Sequence, residues 1–185
     1  MKEGVCRMRE EIIVNKYMVN NRTMLIMPAE AVDYYAVVKE IDRIVFVKQT
    51  PFDIIKENLL IGGSDFNGRR RSITYKLGMQ KKLPMPINPP RNIYAFPTHS
   101  PKQFHCHWIF TEHIDQIHPV RNNRKYKSAI LFKNGEEIYF EVSAFILDNQ
   151  VVKTWKVKKG MEDRKVILEY SFLLNGRKGM EREKD

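Results

Sequence analysis

All five histidines of the chain lie between residues 99 and 118, and His105, Cys106 and His107 are adjacent. Imidazole and thiolate groups bind zinc, so this cluster is the first candidate for chemistry. Alternate residues of a strand share a face, which would bring His105 and His107 together and point Cys106 away. The spacing typical of structural zinc sites, Cys-x-x-Cys or a helical His-x-x-x-His, is missing. We therefore predict no metal ligands and no cofactor, and expect some imidazoles to donate to phosphates.

Hydrolysis of a phosphodiester would need carboxylates that hold Mg²⁺, or histidines placed for acid and base work. Between residues 61 and 133 the only acidic side chains are Asp65, Glu112 and Asp115. The pair Glu112 and His113 has no spacing that indicates a mechanism, and no glycine loop of the phosphate-binding type follows a strand. We predict that the chain is not an enzyme, with a metal-dependent nuclease as an alternative.

The formal charge of +10 is concentrated in one part of the chain. Residues 1–60 hold nine basic and nine acidic residues, residues 61–133 hold thirteen against three, and residues 134–185 hold ten against ten. A local excess of cations indicates a polyanionic partner, whereas a diffuse excess indicates solubility. Aromatic side chains that can contact bases lie within the basic segment: Phe66, Tyr75, Phe104, Trp108 and Tyr126. A solvated basic face and a non-specific RNA or ribosome binder are the competing interpretations.

The cysteines and the apolar segments bear on the cellular compartment. Cys6 and Cys106 are far apart and lack the dense pairing of small secreted proteins, so we expect two unpaired thiols in a reducing compartment. The first 13 residues carry three glutamates where a signal peptide would be apolar, and no apolar run reaches the length of a membrane span. We expect a soluble cytoplasmic protein without a membrane partner.

The first half of the chain predicts strands followed by two helices. β-Branched and aromatic runs favour strands at residues 11–19, 23–27, 34–38 and 43–48. Thr50 and Pro51 open a helix that Gly62-Gly63 ends, and its expected buried residues are Ile54, Ile55, Leu59 and Leu60. Ser64 or Asp65 opens a second helix, α2, that Gly78 ends. Its spacing puts Phe66, Ile73 and Leu77 on the core side and the row of Arg69, Ser72 and Lys76 against phosphates.

The second half returns to strands after a proline-rich segment. Residues 81–90 contain four prolines and are expected to form a basic loop or linker. Strands follow at 93–96, 108–113, 126–133 and 136–142, and Asn134-Gly135 predicts a type I′ hairpin. Ser143 or Asp148 opens a last helix, with a strand at 154–157 as the alternative. The expected inward residues of that helix are Leu147, Val151 and Trp155.

These elements predict an α+β fold, a strand-dominated mixed domain with antiparallel hairpins and two or three short helices. One domain covers residues 1–170, and residues 171–185 form a charged, disordered tail. Phe96 and Trp108 are assigned to the core because strand aromatics bury more often than they stack on bases.

Three short segments resemble one known family. Gly63-Ser64-Asp65-Phe66-Asn67-Gly68-Arg69 resembles the Gly-Ser-x-x-x-Gly-Arg segment of ComK-type competence transcription factors. Phe96-Pro97-Thr98-His99-Ser100 resembles their Phe-Pro-Thr-x-Ser, and Cys106-His107-Trp108-Ile109 resembles their Cys-x-Trp-Ile. The order and spacing agree, and the resemblance extends over roughly residues 11–165.

The resemblance implies a sequence-specific activator of genes for DNA uptake, bound to the nucleoid as a homo-oligomer, a dimer or tetramer, on paired AT-rich boxes. It also implies contact with RNA polymerase and control by a protease adaptor. The chain departs from the family pattern after Arg164, where the aromatic, proline-containing adaptor-binding stretch is absent.

Arginine is drawn into the narrow minor groove of AT-rich DNA, where negative potential is concentrated. We therefore predict that two groups of cations contact double-stranded DNA. The first group, here called the α2 patch, is Arg69, Arg70, Arg71, Lys76, Lys81 and Lys82. The second group, here called the loop patch, is Arg121, Arg124, Lys125 and Lys127.

Overall fold

A computed structural model describes residues 11–161 of the chain. Its strands are β1 Glu11–Val14, β2 Thr23–Pro28, β3 Ala36–Glu40, β4 Ile44–Val47, β5 Met85–Asn88, β6 Ile93–Pro97, β7 Trp108–Phe110, β8 Ile114–Pro119, β9 Ser128–Phe132 and β10 Glu137–Phe140. Its helices are α1 Pro51–Ile61, α2 Phe66–Leu77 and α3, residues 144–161, with 3₁₀ turns at Pro89–Arg91 and Thr111–His113.

The strands form two sheets, and the predicted α+β class is confirmed. Seven strands pair in the order β1-β4-β3-β2-β7-β6-β5, and three pair in the order β10-β9-β8. All of these pairs are antiparallel except that of β1 with β4. Antiparallel neighbours need only short connections, which suits a chain whose strands follow one another closely.

The seven-stranded sheet buries both faces. On one face Ile26 and neighbouring residues pack with α1 and α2, and on the other face Met24 and Leu25 pack with the three-stranded sheet. A register shift between Thr23 and Leu25 puts the consecutive residues Met24 and Leu25 on the same side, as a β-bulge does. The domain therefore has three layers and two apolar cores.

Helix α3 links the two cores. Its residue Leu147 packs in the core beside the small sheet, and Val157 packs in the core beside α1 and α2. Between them the buried Gln150 side chain donates to the carbonyl oxygens of Lys82, at 3.0 Å, and Pro97, at 2.8 Å. This amide fixes α3 to the segments that lead into β5 and out of β6.

Helix α1 begins and ends where its capping residues predict. The Thr50 hydroxyl accepts from the Asp53 backbone N–H at 3.2 Å, and Pro51 occupies the first turn. At the other end Gly62 is required by close contact, because a Cβ there would lie 2.5 Å from the Ile87 carbonyl oxygen. The predicted burial of Leu60 is wrong, since 61% of this residue is exposed.

The segment at residues 81–90, predicted to be a loop or linker, contains the strand β5. The segment from Leu83 to Ile87 is buried, and β5 pairs with β6 at the edge of the large sheet. Edge strands tolerate proline because one side of the strand needs no ladder hydrogen bond. The strand β8 was not predicted at all, because its residues are only half-buried or exposed.

The hairpin at Asn134-Gly135 is confirmed, but the predicted type I′ turn is wrong. Gly135 has a φ of +83°, whereas Asn134 is not among the non-glycine residues with positive φ. The Gly135 N–H donates to the Phe132 carbonyl at 2.8 Å, and the Phe132 N–H donates to the Glu136 carbonyl at 2.8 Å. This is the three-residue loop in which glycine alone takes the left-handed conformation.

The last predicted helix is present, and Ser143 opens it, so residues 154–157 are helical rather than a strand. Its inward face differs from the prediction, because Trp155 is 60% exposed and Thr154 and Val157 are buried instead. The core assignment of Phe96 and Trp108 is confirmed. Cys6 and the predicted tail lie outside the described residues. None of the helices within residues 11–161 is long and apolar enough to cross a membrane.

Candidate nucleic-acid interface

Helix α2 carries the first half of the α2 patch. The Asp65 carboxylate caps it by accepting from the Gly68 N–H, and Gly78 ends it in the left-handed conformation at φ +67°. Ile73 is buried, and the Phe66 ring meets the Phe52 ring edge-to-face with centroids 4.9 Å apart. Since this side packs on α1 and the sheet, the opposite side of α2 faces solvent.

The three consecutive arginines of α2 have different surroundings. Arg70 and Arg71 are exposed, and Tyr75, one turn after Arg71, is 92% exposed. Arg70 lies one turn after Phe66 and lines a cavity with it. Arg69 is half-buried, and its Nη2 donates to the Gly62 carbonyl at 3.3 Å. Burial lowers the pKa of Arg69 from its ordinary value. The structure therefore holds Arg69 against the end of α1 and leaves Arg70 and Arg71 available to a partner.

The row of Arg69, Ser72 and Lys76 predicted from helical spacing is half-buried rather than outward. The lysines that follow α2 are split in the same way. Lys81 is exposed, whereas Lys82 is half-buried with its ammonium 3.2 Å from the Thr98 carbonyl oxygen. Lys82 is therefore fixed to the end of β6 while Lys81 faces solvent.

The loop patch lies on the connection between β8 and β9, and all four of its cations are exposed. The Asn123 side-chain oxygen accepts from the backbone N–H groups of Lys125 and Tyr126, both at 2.9 Å, and so shapes the loop. The Lys125 ammonium lies 5.4 Å from the centre of the Tyr126 ring and 4.0 Å from Glu141. The loop patch therefore presents exposed positive charge beside one aromatic ring.

A loop at residues 98–107 separates the two patches. Two hydrogen bonds between Thr98 and His107 close the loop. The Thr98 backbone N–H donates to the His107 carbonyl at 2.9 Å, and the His107 backbone N–H donates to the Thr98 hydroxyl at 3.0 Å. A cavity on one side of the loop is lined by Arg70, Lys81 and Lys82, and a cavity on the other side is lined by Lys125. The two patches thus lie near the same loop, and we call the patches and the loop together the basic band; the carboxylates of Glu30, Glu137 and Glu141 also line the cavity of Lys125.

Lys102 belongs to this band although the sequence prediction did not include it. It is exposed on the 98–107 loop and lines the same cavity as Arg70. Phe104, half exposed on the same loop, lines the cavity of Lys125 and a further cavity that Lys102 also lines. The position of Lys102 inside the basic segment was the only sequence signal, and it does not show that the loop joins the two patches.

The cluster of histidines and Cys106 is mainly structural. Burial lowers the pKa of His107 to about 4, and its ring packs edge-to-face on Phe140 with centroids 5.7 Å apart. Burial also lowers the pKa of His99 and raises the pKa of the Cys106 thiol to about 11. These groups are uncharged at neutral pH. Within residues 11–161, no three His, Cys, Asp or Glu side chains form a group that could hold a metal ion.

A family model described as ComK protein matches residues 14–166. The chain is 25% identical over 153 residues to a protein of Bacillus subtilis (strain 168) described as Competence transcription factor, covering 82% of this chain and 78% of the relative. No solved structure matches the chain. The segments Phe96–Ser100 and Cys106–Ile109, singled out from the sequence, meet through the pair of Thr98 and His107.

Proposed function

The chain belongs to the ComK family, and on that premise we propose that it activates transcription of competence genes by binding AT-rich double-stranded DNA through its basic band. The observation that carries the proposal is that Arg70 and Arg71 of α2 are exposed and that neither makes an ion pair with another described residue.

The two patches have different tasks in this proposal. Arg70 and Arg71 stand on a packed helix, so they enter the narrow minor groove of AT-rich DNA with a defined geometry. The loop patch and Lys102 neutralise phosphates on either side, which adds affinity without reading sequence. Arg69 connects α2 to the end of α1, because its guanidinium donates a hydrogen bond to the Gly62 carbonyl.

Duplex binding measured by fluorescence anisotropy tests this function. An AT-rich duplex, a GC-rich duplex and an RNA duplex are each titrated at several salt concentrations. We expect the native chain to prefer the AT-rich duplex. The double variant Arg70→Ala/Arg71→Ala should lose that preference. The slope of log affinity against log salt concentration should also become shallower by about 1.8, because each of the two lost cations releases about as many counterions as a phosphate contact.

The matched control removes two arginines from the opposite end of the large sheet. Arg22 precedes β2 and Arg91 precedes β6, whereas the basic band lies where these strands end. The variant Arg22→Ala/Arg91→Ala should bind like the native chain. Equal losses of affinity in both double variants, or equal affinity of the native chain for all three duplexes, would show that the surface binds any polyanion and would contradict the proposal.

The remaining roles follow from a transcription activator of this family. We propose that the chain is nucleoid-associated, acts as a homo-oligomer, contacts RNA polymerase and is not an enzyme. Burial raises the pKa of the Cys106 thiol, so this thiol is a poor nucleophile. Sedimentation of the purified chain with and without the AT-rich duplex measures the oligomer, and a monomer in both samples would contradict it.

A further inference from the structure

A cavity of about 600 Å³ lies between α1, the first half of α2 and the 98–107 loop. Its apolar part is made by the buried residues Leu83 and Met85 and by the half-buried rings of Phe52 and Phe66. Cavities of this volume are typical of sites for small organic ligands. The cavity thus has the size and the apolar surface that a ring system needs.

The charge around this cavity is entirely positive, with no Asp or Glu among its lining residues. The lining cations are Lys56, Arg70, Lys81, Lys82 and Lys102. Lys56 pairs with Asp53 at 2.8 Å, and the Lys82 ammonium donates to a carbonyl. Arg70, Lys81 and Lys102 form no ion pair within residues 11–161. A concave surface lined by one sign of charge concentrates the electrostatic potential and attracts counter-ions.

Several cations elsewhere in the domain have carboxylate partners. Lys39 pairs with Glu136, and Arg43 pairs with Glu40. Three unpaired cations around one concave surface repel one another, which destabilises the folded chain unless an anion lies between them. The arrangement therefore favours an anionic ligand over a solvated surface.

The lining residues also show which anion fits. Inorganic phosphate would use only the cations and leave the apolar part in contact with water. A duplex is far larger than a cavity of about 600 Å³ and could contact only its rim. We propose that the cavity binds a nucleoside polyphosphate, with the phosphates against Arg70, Lys81 and Lys102 and the base over the apolar residues. Asn67, Gln80 and Ser100 add polar groups at the same cavity.

Arg70 and Lys81 also belong to the DNA surface described above, so an occupied cavity would compete with the duplex. This competition rests on the proposed function, whereas binding of the nucleotide does not. Binding of a small phosphorylated ligand would thus promote the release of DNA.

Isothermal titration of the full chain with ATP tests the site, with triphosphate and adenosine as the two halves of the ligand. We expect one ATP per chain, weaker binding of triphosphate and no measurable binding of adenosine. Lys102→Ala should weaken ATP binding about tenfold, as expected for loss of a charged hydrogen bond. The matched variant Arg124→Ala removes one exposed cation from the loop patch and should leave ATP binding unchanged.

Three results would overturn the proposal. The first is no binding of ATP, and the second is equal binding of ATP and triphosphate. The third is equal weakening of ATP binding by Lys102→Ala and Arg124→Ala, which would indicate that the chain attracts any polyanion. Tighter binding of a short single-stranded oligonucleotide, with the same dependence on Lys102, would assign the cavity to a nucleic acid strand instead. Duplex binding without ATP is measured separately, so failure of the nucleotide site and failure of DNA binding remain distinguishable.

Discussion

The α2 patch and the loop patch carry the same kind of charge on different supports. In the α2 patch, Arg69 and Lys82 are hydrogen-bonded to backbone carbonyls, and the helix that carries the three arginines is packed through Ile73. In the loop patch all four cations are exposed on a connection between strands. A packed support fixes direction as well as charge, whereas a surface loop fixes mainly charge. We therefore propose that the α2 patch provides sequence selectivity and that the loop patch contributes affinity.

The largest expected effect comes from removing the support of the α2 patch. Ile73 is 2% exposed, and Ile73→Ala should lower the free energy of unfolding by about 2–5 kcal/mol, because it removes packed methyl groups and leaves a cavity. Tyr75→Ala, on the exposed side of the same helix, should change it by less than about 0.5 kcal/mol. Urea denaturation measures both values. Similar values for the two variants would show that α2 is not held through its inner face.

A smaller effect is expected from the loop patch, and it concerns affinity alone. Arg121→Ala/Arg124→Ala should make the salt slope of duplex binding shallower by about 1.8, because two phosphate contacts are lost. The ratio of AT-rich to GC-rich affinity should stay at its native value. The anisotropy titrations described above measure both quantities. A reduced ratio would mean that the loop also reads sequence, and the division between the patches would then be wrong.

The smallest expected effect is on how the free energy of unfolding depends on pH, and it comes from His107 in the 98–107 loop. Burial lowers the pKa of His107 from 6.5 to about 4 in the folded chain. As the pH falls from about 6.5 to about 4, the unfolded chain therefore binds a proton that the folded chain excludes, and stability decreases. Above about pH 6.5 this contribution to stability is fully present.

The variant His107→Gln isolates this contribution. Its free energy of unfolding, measured by urea denaturation at several pH values, should fall less steeply with acid than that of the native chain. His99, whose pKa is also lowered by burial, keeps part of the slope. Identical slopes in the variant and the native chain would show that His107 does not stay neutral inside the loop.

The helices and most strands were predictable because their signals are local. Thr50, Asp65 and Gly78 cap helices through groups within a few residues, so the sequence alone shows where α1 and α2 begin and where α2 ends. The strand β5 is different, since it contains Pro86 and exists only because β6 pairs with it. Pairing between strands is a tertiary property that a single run of residues does not reveal.

The candidate site was predictable in its charges and not in its arrangement. Helical spacing predicted one apolar and one polar row of side chains on α2. Only the packing of α2 against α1 shows that Arg69 is hydrogen-bonded to the Gly62 carbonyl while Arg70 is exposed. Lys102 became part of the band only when the 98–107 loop was seen between the two patches. Trp155 was assigned to the core by periodicity, which does not show how wide the covered face of α3 is.

The strand order of the large sheet also has a consequence for how the chain folds. Strand β2 lies in the middle of the sheet, and its second partner is β7, with Ile26 opposite Trp108. During synthesis the β2-β3-β4 meander emerges long before β7, so one edge of β2 remains unpaired until then. Pairing of strands that are distant in sequence slows folding and exposes strand edges to aggregation. Production of the chain should therefore depend on chaperones and temperature more than its size alone suggests.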